Sequence, residues 1–396
     1  MPHIGILTYH RSINYGAVMQ AYYLADALIK RYPDADIDII DYMSKKMDTY
    51  YKLFTVYRGK SSLFKIKDRV DMYNAFKKGV NILPLAGPEL ITDDVEKFRK
   101  WLGNSYDIII VGSDAVWNYS KRGLPNPYFL DDIPGIHMSY AASCNGLDID
   151  DFRDIERKDR DFLRKALSNF TYIGVRDEQT EAFVRSILPG KETHLNCDPS
   201  FFANDLSNEN RTVLQDRLEN LYGLSPDKPV VGLMLSNYNG TFTKDFIDRL
   251  HSGYGDRFQT AAIYSYNRYA DIPYMADLQP REWSRVFGLF DITISKYFHG
   301  TLFSLLNHTP VMSIGAEKNI GKYPNKVESV LGSMGLDELY SPAKKGEDIN
   351  WDRFFDTFDH LINDDITLRI ENGIKNEQKK AESFFRKLDV ILGNKK

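Results

Sequence analysis

A succession of short apolar runs, each closing on small or polar residues and followed by a stretch with helical periodicity, constrains the fold of this chain more than any other feature. The first run, "IGILTY", precedes a polar turn and "GAVMQAYYLADALIKRY", whose apolar positions recur at helical spacing. "DIDII", "YDIIIVGSD", "MSYAAS" and "FTYIGVRD" repeat the pattern, with helical stretches over 151–168 and 177–187. Such βα alternation implies a parallel sheet covered by helices on both faces. A second series, "KPVVGLMLSNYNG", "TAAIYSYN", "DITISKYFHG" and "PVMSIGAEKN", begins after the polar "NDLSNEN" and a helical 211–222. With 396 residues the chain exceeds the roughly 250–300 at which one core stops growing, so two α/β domains are predicted. Their boundary is placed near 205–228, giving a first domain over 1–205 and a second over 206–350. The charged helical tail, 351–396, is expected to pack back toward the first domain. The halves share no sequence period and are not an internal repeat.

Residues 44–80 break the alternation and open what reads as a basic, aromatic insertion over about 44–100. Lys45, Lys46, Lys52, Arg58, Lys60, Lys65, Lys67, Arg69, Lys77 and Lys78 outnumber Asp48, Asp68 and Asp71, with Tyr50, Tyr51, Phe54, Tyr57, Phe64, Tyr73 and Phe76 between them. Two readings stand: a solvated insertion packing its aromatics on its own domain, or a surface for anionic lipid headgroups or a polyanionic acceptor. The formal net charge of −4 gives no global pull toward nucleic acid. Cys144 and Cys197 are the only cysteines and lack ligand spacing, which argues against a disulfide framework or a structural zinc site and fits a reducing cytosol. The N-terminus has no basic region leading into a long apolar stretch, and no run approaches the roughly 20 residues of a membrane span. A cytoplasmic protein is therefore expected, in peripheral contact with the inner membrane face if the basic segment meets lipid.

Ligands of open α/β sheets bind beyond the carboxyl ends of the strands. After the first run, "HRSINYGAVMQ" lacks GxGxxG, so a dinucleotide fingerprint is not supported; Asn14 reads as a helix N-cap or a ligand contact. In "GSDAVWN", Asp114 and Trp117 suit sugar recognition, a carboxylate for hydroxyls beside a flat apolar face; a capping Asp with a core Trp is the competing reading. In "GVRDEQTEAFV", Asp177 reads as a cap, and Arg176 as a fork for a carboxylate or phosphate or as one half of an ion pair. "ISKYFHGTLFSLL" places Lys296 to Thr301 at a helix N-terminus, where unpaired N–H groups and the dipole favour an anion. Lys296 adds positive charge there, and His299 adds a proton that moves near neutral pH.

Taken together, "IGILTYHRSINYGAVMQAYYLADAL", "DIIIVGSDAVWN", "SYAAS", "VRDEQT", "CDPS" and "ISKYFHGTLFSLLNHTPVMSI" resemble the polysaccharide pyruvyl transferase family, in order and spacing, over most of the chain. The resemblance implies two Rossmann-like domains facing a cleft, as in the GT-B architecture. It also implies transfer of a pyruvyl group from phosphoenolpyruvate, as co-substrate, to a sugar of a surface-polysaccharide precursor as a ketal. Family members commonly carry an arginine two positions before the motif histidine; here Tyr297 stands in that position, with Lys296 the nearest cation.

On this reading His299 is the acid and Asp114 a base for a sugar hydroxyl, while Lys296, Tyr297, Arg176 and the N–H groups of Gly300 and Thr301 hold the donor. Asn14, Tyr15 and Trp117 orient the acceptor from the first domain, and a lipid-linked acceptor suits the basic segment. No cofactor or metal is called for. Two other readings fit the same frame: a glycosyltransferase using a nucleotide sugar, and a catalytically silent carbohydrate-binding protein.

Overall fold

The computed structural model describes the chain except residues 58–63, 121, 146, 148–151, 205, 207, 236–239, 316–322, 343–348 and 394–396. Two wholly parallel sheets form. The first contains β1 (His3–Leu7), β2 (Asp36–Met43), β3 (Leu85–Ile91), β4 (Ile108–Val111), β5 (Ile136–Ala142), β6 (Phe170–Val175) and β7 (His194–Leu195), in the order β3-β2-β1-β4-β5-β6-β7. The second contains β8 (Val230–Met234), β9 (Gln259–Ala262), β10 (Ile292–Ser295), β11 (Val311–Gly315) and β12 (Tyr340–Pro342), in the order β12-β11-β10-β8-β9. These are the two parallel α/β domains expected from the alternation, in the GT-B-like, Rossmann-like pairing that the family resemblance implies.

Strand sequence explains the burial. Ile4 and Ile6 of β1 sit in register with Ile37 and Ile39 of β2 and with Ile108 and Ile110 of β4, and all six are buried. A central parallel strand covered on both faces has no solvent side, so these runs are apolar without interruption. In each sheet the chain winds outward in one direction and then returns to the other side, which makes β1/β4 and β8/β10 the switch points. Crevices open at such points.

Residues 44–100 are not an insertion beside the sheet. The helices Lys45–Tyr57 and Phe64–Val80 form the crossover into β3, which pairs parallel with β2 as an edge strand, and Val95–Leu102 follows. "LAGPELI" hides this strand because it carries Gly87, at φ +61°, and Pro88, which only an edge tolerates. The helix Phe64–Val80 packs on the second domain: a Cβ on Gly79 would lie 2.7 Å from Pro280 Cγ, and Phe76 is buried edge-on to Tyr15. Phe76 thus packs on Tyr15 of its own domain, as the first reading of the segment expects, while Gly79 on the same helix meets the second domain. Arg58 and Lys60, and the side chains of Phe54, Tyr57, Phe64 and Lys65, lie outside the described residues.

The tail divides between the domains. The helix Trp351–Asn363 stays with the second domain, stacking Phe355 on Phe246 (5.9 Å) and Trp351 on Phe242 (5.3 Å). Thr367–Lys379 follows the helix Lys326–Met334, with Gly373 tight against Met334. Its Gln378 already reaches the first domain, donating to the Phe201 carbonyl at 2.8 Å, and the helix Glu382–Ile391 then lies on the first sheet. There Phe384 meets Tyr140 at 4.8 Å, Ser383 hydrogen-bonds Tyr172 at 2.8 Å, and Asp389 pairs with Arg31 at 2.7 Å. Between the domains Tyr15 stacks on Trp283 at 5.4 Å and 11°, a contact of about 1 kcal/mol beyond its buried area. Among the described residues no helix is long and apolar enough to cross a membrane.

Candidate active site

The site forms where the β1 and β10 switch points meet. After β10 the chain turns at Ser295, whose Oγ accepts from the Tyr297 N–H (3.1 Å) and donates to the Tyr297 carbonyl (3.0 Å). The helix Phe298–Leu306 then begins with Tyr297 as N-cap and no side-chain cap. Gly300 is required there, since a Cβ would lie 2.5 Å from Ser295 Oγ and 3.0 Å from Met234 Cγ. His299 is carried on the first turn and reaches across to the opposite domain.

One edge of its ring lies against the start of the helix Tyr15–Arg31, so close that a Cβ on Gly16 would overlap Nδ1 and Cγ and lie 2.6 Å from Cε1. Its Nε2 points to Asp198 Oδ2 at 3.9 Å and has no hydrogen-bond partner among the described residues. Asp198 Oδ1 accepts from the Ser200 N–H (3.0 Å), and Oδ2 accepts from Gln20 Nε2 and Arg176 Nη1 (3.4 Å). These side chains are nearly closed off: Asp198 is 1% exposed, Arg176 7% and His299 13%. The Arg176 guanidinium lies 5.4 Å from the Phe298 ring and Lys326 Nζ 5.7 Å from the same ring.

Burial pushes the His299 pKa down to about 4; Asp198 and Asp114 oppose that shift, and Lys326 and Arg176 reinforce it. The ring is therefore neutral near pH 7. Burial pushes the Asp114 carboxyl up, but Arg176 and His299, the Ala115 N–H at 2.7 Å and Lys326 outweigh it and hold the group below the usual carboxylate range. Asp114 is thus anionic, better suited to accepting from a hydroxyl than to abstracting its proton outright. The arrangement combines two carboxylates, two cations and a neutral imidazole with an open nitrogen, beside helix N–H groups. It can hold an anion and shuttle a proton next to it.

The structure groups His299, Asp114, Arg176 and Gly300 and separates the rest. Trp117 is fully buried, its Nε1–H donates to the Tyr128 carbonyl at 3.1 Å, and its ring stacks on Phe129; it offers no platform to a sugar. The Thr301 N–H is already spent on the Tyr297 carbonyl (3.0 Å) and its Oγ1 bonds Ser313 Oγ (2.7 Å), so only Phe298, His299 and Gly300 can present N–H groups. Tyr15 joins the domains through Trp283. Asn14 caps its helix, accepting from the Ala17 N–H at 3.4 Å. Tyr297 lies against Tyr264 at 4.2 Å. The cations that act most on His299 are Lys326 and Arg176 rather than Lys296.

Asp198, Gln20, Gly16 and Lys326 escaped the sequence reading as site residues. "CDPS" carried a signal for Asp198, an Asp before Pro at a helix start, but only of a cap. A cavity of about 660 Å³ opens elsewhere, lined by Lys67, Asp71, Arg217, Tyr222, Asp277 and Glu282 among others. His299 does not line it, and its Arg217 is already paired with Asp277 (2.8 Å) and Glu282 (2.9 Å). The unpartnered imidazole nitrogen and the buried charges gathered around it, not that volume, mark the place for chemistry.

Among solved structures, the chain is similar to UDP-GlcNAc 2-epimerase from Neisseria meningitidis, at 9% identity and a TM-score of 0.55, covering 98% of this chain and 99% of that one. It is similar to another UDP-N-acetylglucosamine 2-epimerase at 8% and 0.51, covering 100% and 97%. It is also similar to the glycosyltransferase of kitacinnamycin at 11% and 0.51, covering 100% and 99%. At these identities the likeness speaks to the fold alone. A comparison with curated protein sequences finds no significant match. The model of the polysaccharide pyruvyl transferase family matches residues 14–317, most of the chain, and the chain belongs to that family.

Proposed function

We propose that this protein transfers the pyruvyl group of phosphoenolpyruvate to two hydroxyls of a glycan precursor as a cyclic ketal. The observation that carries the reading is the open Nε2 of His299, buried between Asp198, Arg176 and Lys326 at an uncapped helix start. Phosphoenolpyruvate is a small polyanion with a carbon to be protonated, and it suits that combination. Arg176, Lys326 and the first helix N–H groups take the phosphate and carboxylate. The arriving negative charge raises the basicity of His299, which takes up a proton. The imidazolium protonates the methylene carbon, which becomes the methyl group, and the first sugar hydroxyl attacks the neighbouring carbon, returning its proton to the ring. The second hydroxyl then attacks the same carbon as its bond to the phosphate oxygen breaks. The second hydroxyl's proton leaves with phosphate, so one diol and one phosphoenolpyruvate give one ketal and one hydrogen phosphate. Asp198 stabilises the imidazolium, and Asp114 accepts from the acceptor's hydroxyls.

The test is incubation with phosphoenolpyruvate and a panel of glycosides, followed by mass spectrometry for a gain of about 70 Da, pyruvic acid less water, at the site read from these residues. His299→Ala should lower the rate about 10²-fold or more with the fold unchanged. Near wild-type turnover by that variant would remove His299 from the chemistry. A thermal shift with nucleotide sugars and none with phosphoenolpyruvate would favour a glycosyltransferase instead.

A further inference from the structure

Near Asp114, whose charge it feels, an arginine on the carboxyl edge of the first sheet makes no ion pair among the described residues. Arg122 lies flat on the Tyr9 ring, with its guanidinium carbon 3.9 Å from the ring centre, and 5.5 Å from the centre of Tyr128. Its Nε–H donates to Tyr9 Oη, and Tyr9 Oη in turn donates to the Ala115 carbonyl at 3.0 Å, one residue beyond Asp114. Tyr128 packs edge-on to Tyr9 at 5.0 Å, and half-buried Tyr51, hydrogen-bonded to Ser12, faces the same group. Among the described residues Arg122 makes no ion pair. Arg11 forks onto Asp41, Arg99 reaches Asp131 at 3.0 Å and Arg176 reaches Asp198, while half-buried Arg160 spends its two Nη nitrogens on the Ser186 and Phe152 carbonyls. Tyr9 and Tyr128 hold the guanidinium with Tyr51 beside it, and among the described residues its two Nη nitrogens meet no protein acceptor. A rigid, partly desolvated fork of this kind is matched to a carboxylate or phosphate.

We infer that Arg122, framed by Tyr9, Tyr51 and Tyr128, binds an anionic group on the acceptor glycan, either a glycosyl phosphate or a uronate carboxylate. The tyrosine rings border the sugar face that Trp117 was expected to cover. This rests on the proposed transfer to a glycan, because that reading puts the acceptor beside Asp114. The protein then selects charged acceptors over neutral ones before any chemistry occurs.

Calorimetry without donor tests this, using a hexose 1-phosphate, a methyl hexuronide and the neutral methyl hexoside against wild type, Arg122→Gln and Arg122→Lys. Wild type should bind at least one charged sugar about 10-fold or more tighter than the neutral one, and Arg122→Gln should abolish that preference. Arg122→Lys, which keeps charge but loses the fork, should fall between and serves if the Gln variant unfolds. The anion whose binding suffers more identifies the source. Equal binding of charged and neutral sugars by wild type, or charged-sugar binding unaltered in both variants, overturns the inference. Because no donor is present, the two readings fail separately. Arg122-dependent binding with no pyruvylation of any glycoside sinks only the proposed reaction, and pyruvylation with no Arg122 dependence sinks only this inference.

Discussion

Gly16→Ala is the most direct probe of the site, because it adds one methyl group at a residue that performs no chemistry. The new Cβ would lie 2.6 Å from His299 Cε1 and closer still to Nδ1 and Cγ, whereas carbon atoms rest about 3.5–4.0 Å apart, so the ring must retreat by at least about 1 Å. Gly16 lies in the first turn of the helix Tyr15–Arg31, where alanine is favoured over glycine by about 0.5–1 kcal/mol. Overpacking costs about 1–3 kcal/mol, so the net loss of stability should be no more than about 2.5 kcal/mol, and folded protein can be assayed. A displacement of about 1 Å costs about 10²-fold in rate when proximity is what the ring supplies. Phosphate release from phosphoenolpyruvate with a working acceptor measures this, with thermal unfolding alongside. The decisive comparison is Gly16→Ala made in a His299→Ala background. If Gly16 acts only by seating the ring, the second substitution changes nothing further, and the coupling amounts to about 3 kcal/mol. Gly16→Ala with more than half the wild-type kcat/KM, or a further 10²-fold loss in the double variant, would refute the reasoning.

Two further predictions concern charge. The folded pKa of His299, about 4, lies below its ordinary 6.5, so between those values the unfolded chain binds a proton that the folded one does not. Stability is then fully present above pH 6.5 and falls by up to about 3 kcal/mol as pH drops to 4; His299→Gln should remove that part of the slope in urea unfolding at pH 7 and pH 5, and an unchanged slope would refute it. Asp198→Asn removes the foremost charge that favours imidazolium while leaving Arg176 buried and closer to unopposed. It should lower kcat by about 10-fold or more while phosphoenolpyruvate binds as well or better, and weaker donor binding with unchanged kcat would contradict the assignment.

The nine strands that the apolar runs announced are those with neighbours on both sides in their sheets, together with β9. A strand such as β4, with Ile108 to Val111 all buried, must be apolar throughout and so declares itself. The strands that escaped, β3, β7 and β12, lie at sheet edges and are two residues long, three residues long or interrupted by Gly87 and Pro88. An edge strand bonds to one neighbour and need not be a continuous apolar run. The crossover helix Phe64–Val80 was opaque for a related reason. Its buried face meets Pro280 and Tyr15, and a face completed by a second domain leaves its basic solvent side as the dominant pattern.

The site divides along the same line. His299 was legible because strand, turn and helix start are all local to residues 292–301, and the anion-favouring end of a helix follows from backbone alone. Asp198 was not, since its meaning depends on a distance of 3.9 Å across the domain boundary, and Gly16 reads as an ordinary helix residue until His299 lies upon it. Trp117 shows the converse: its type suits a sugar, but the turn after β4 folds its indole back between Phe129 and Phe170. Lys326, not Lys296, is the second cation acting on the ring, because a helix N-terminus 27 residues along the chain from His299 (326 minus 299) returns to it in space. Asp114, Arg176 and Asp198 belong to the first domain, and His299 and Lys326 to the second. Neither half holds a proton-transfer site by itself, and the domain seam that Tyr15 and Trp283 build is therefore part of the chemistry as much as of the stability.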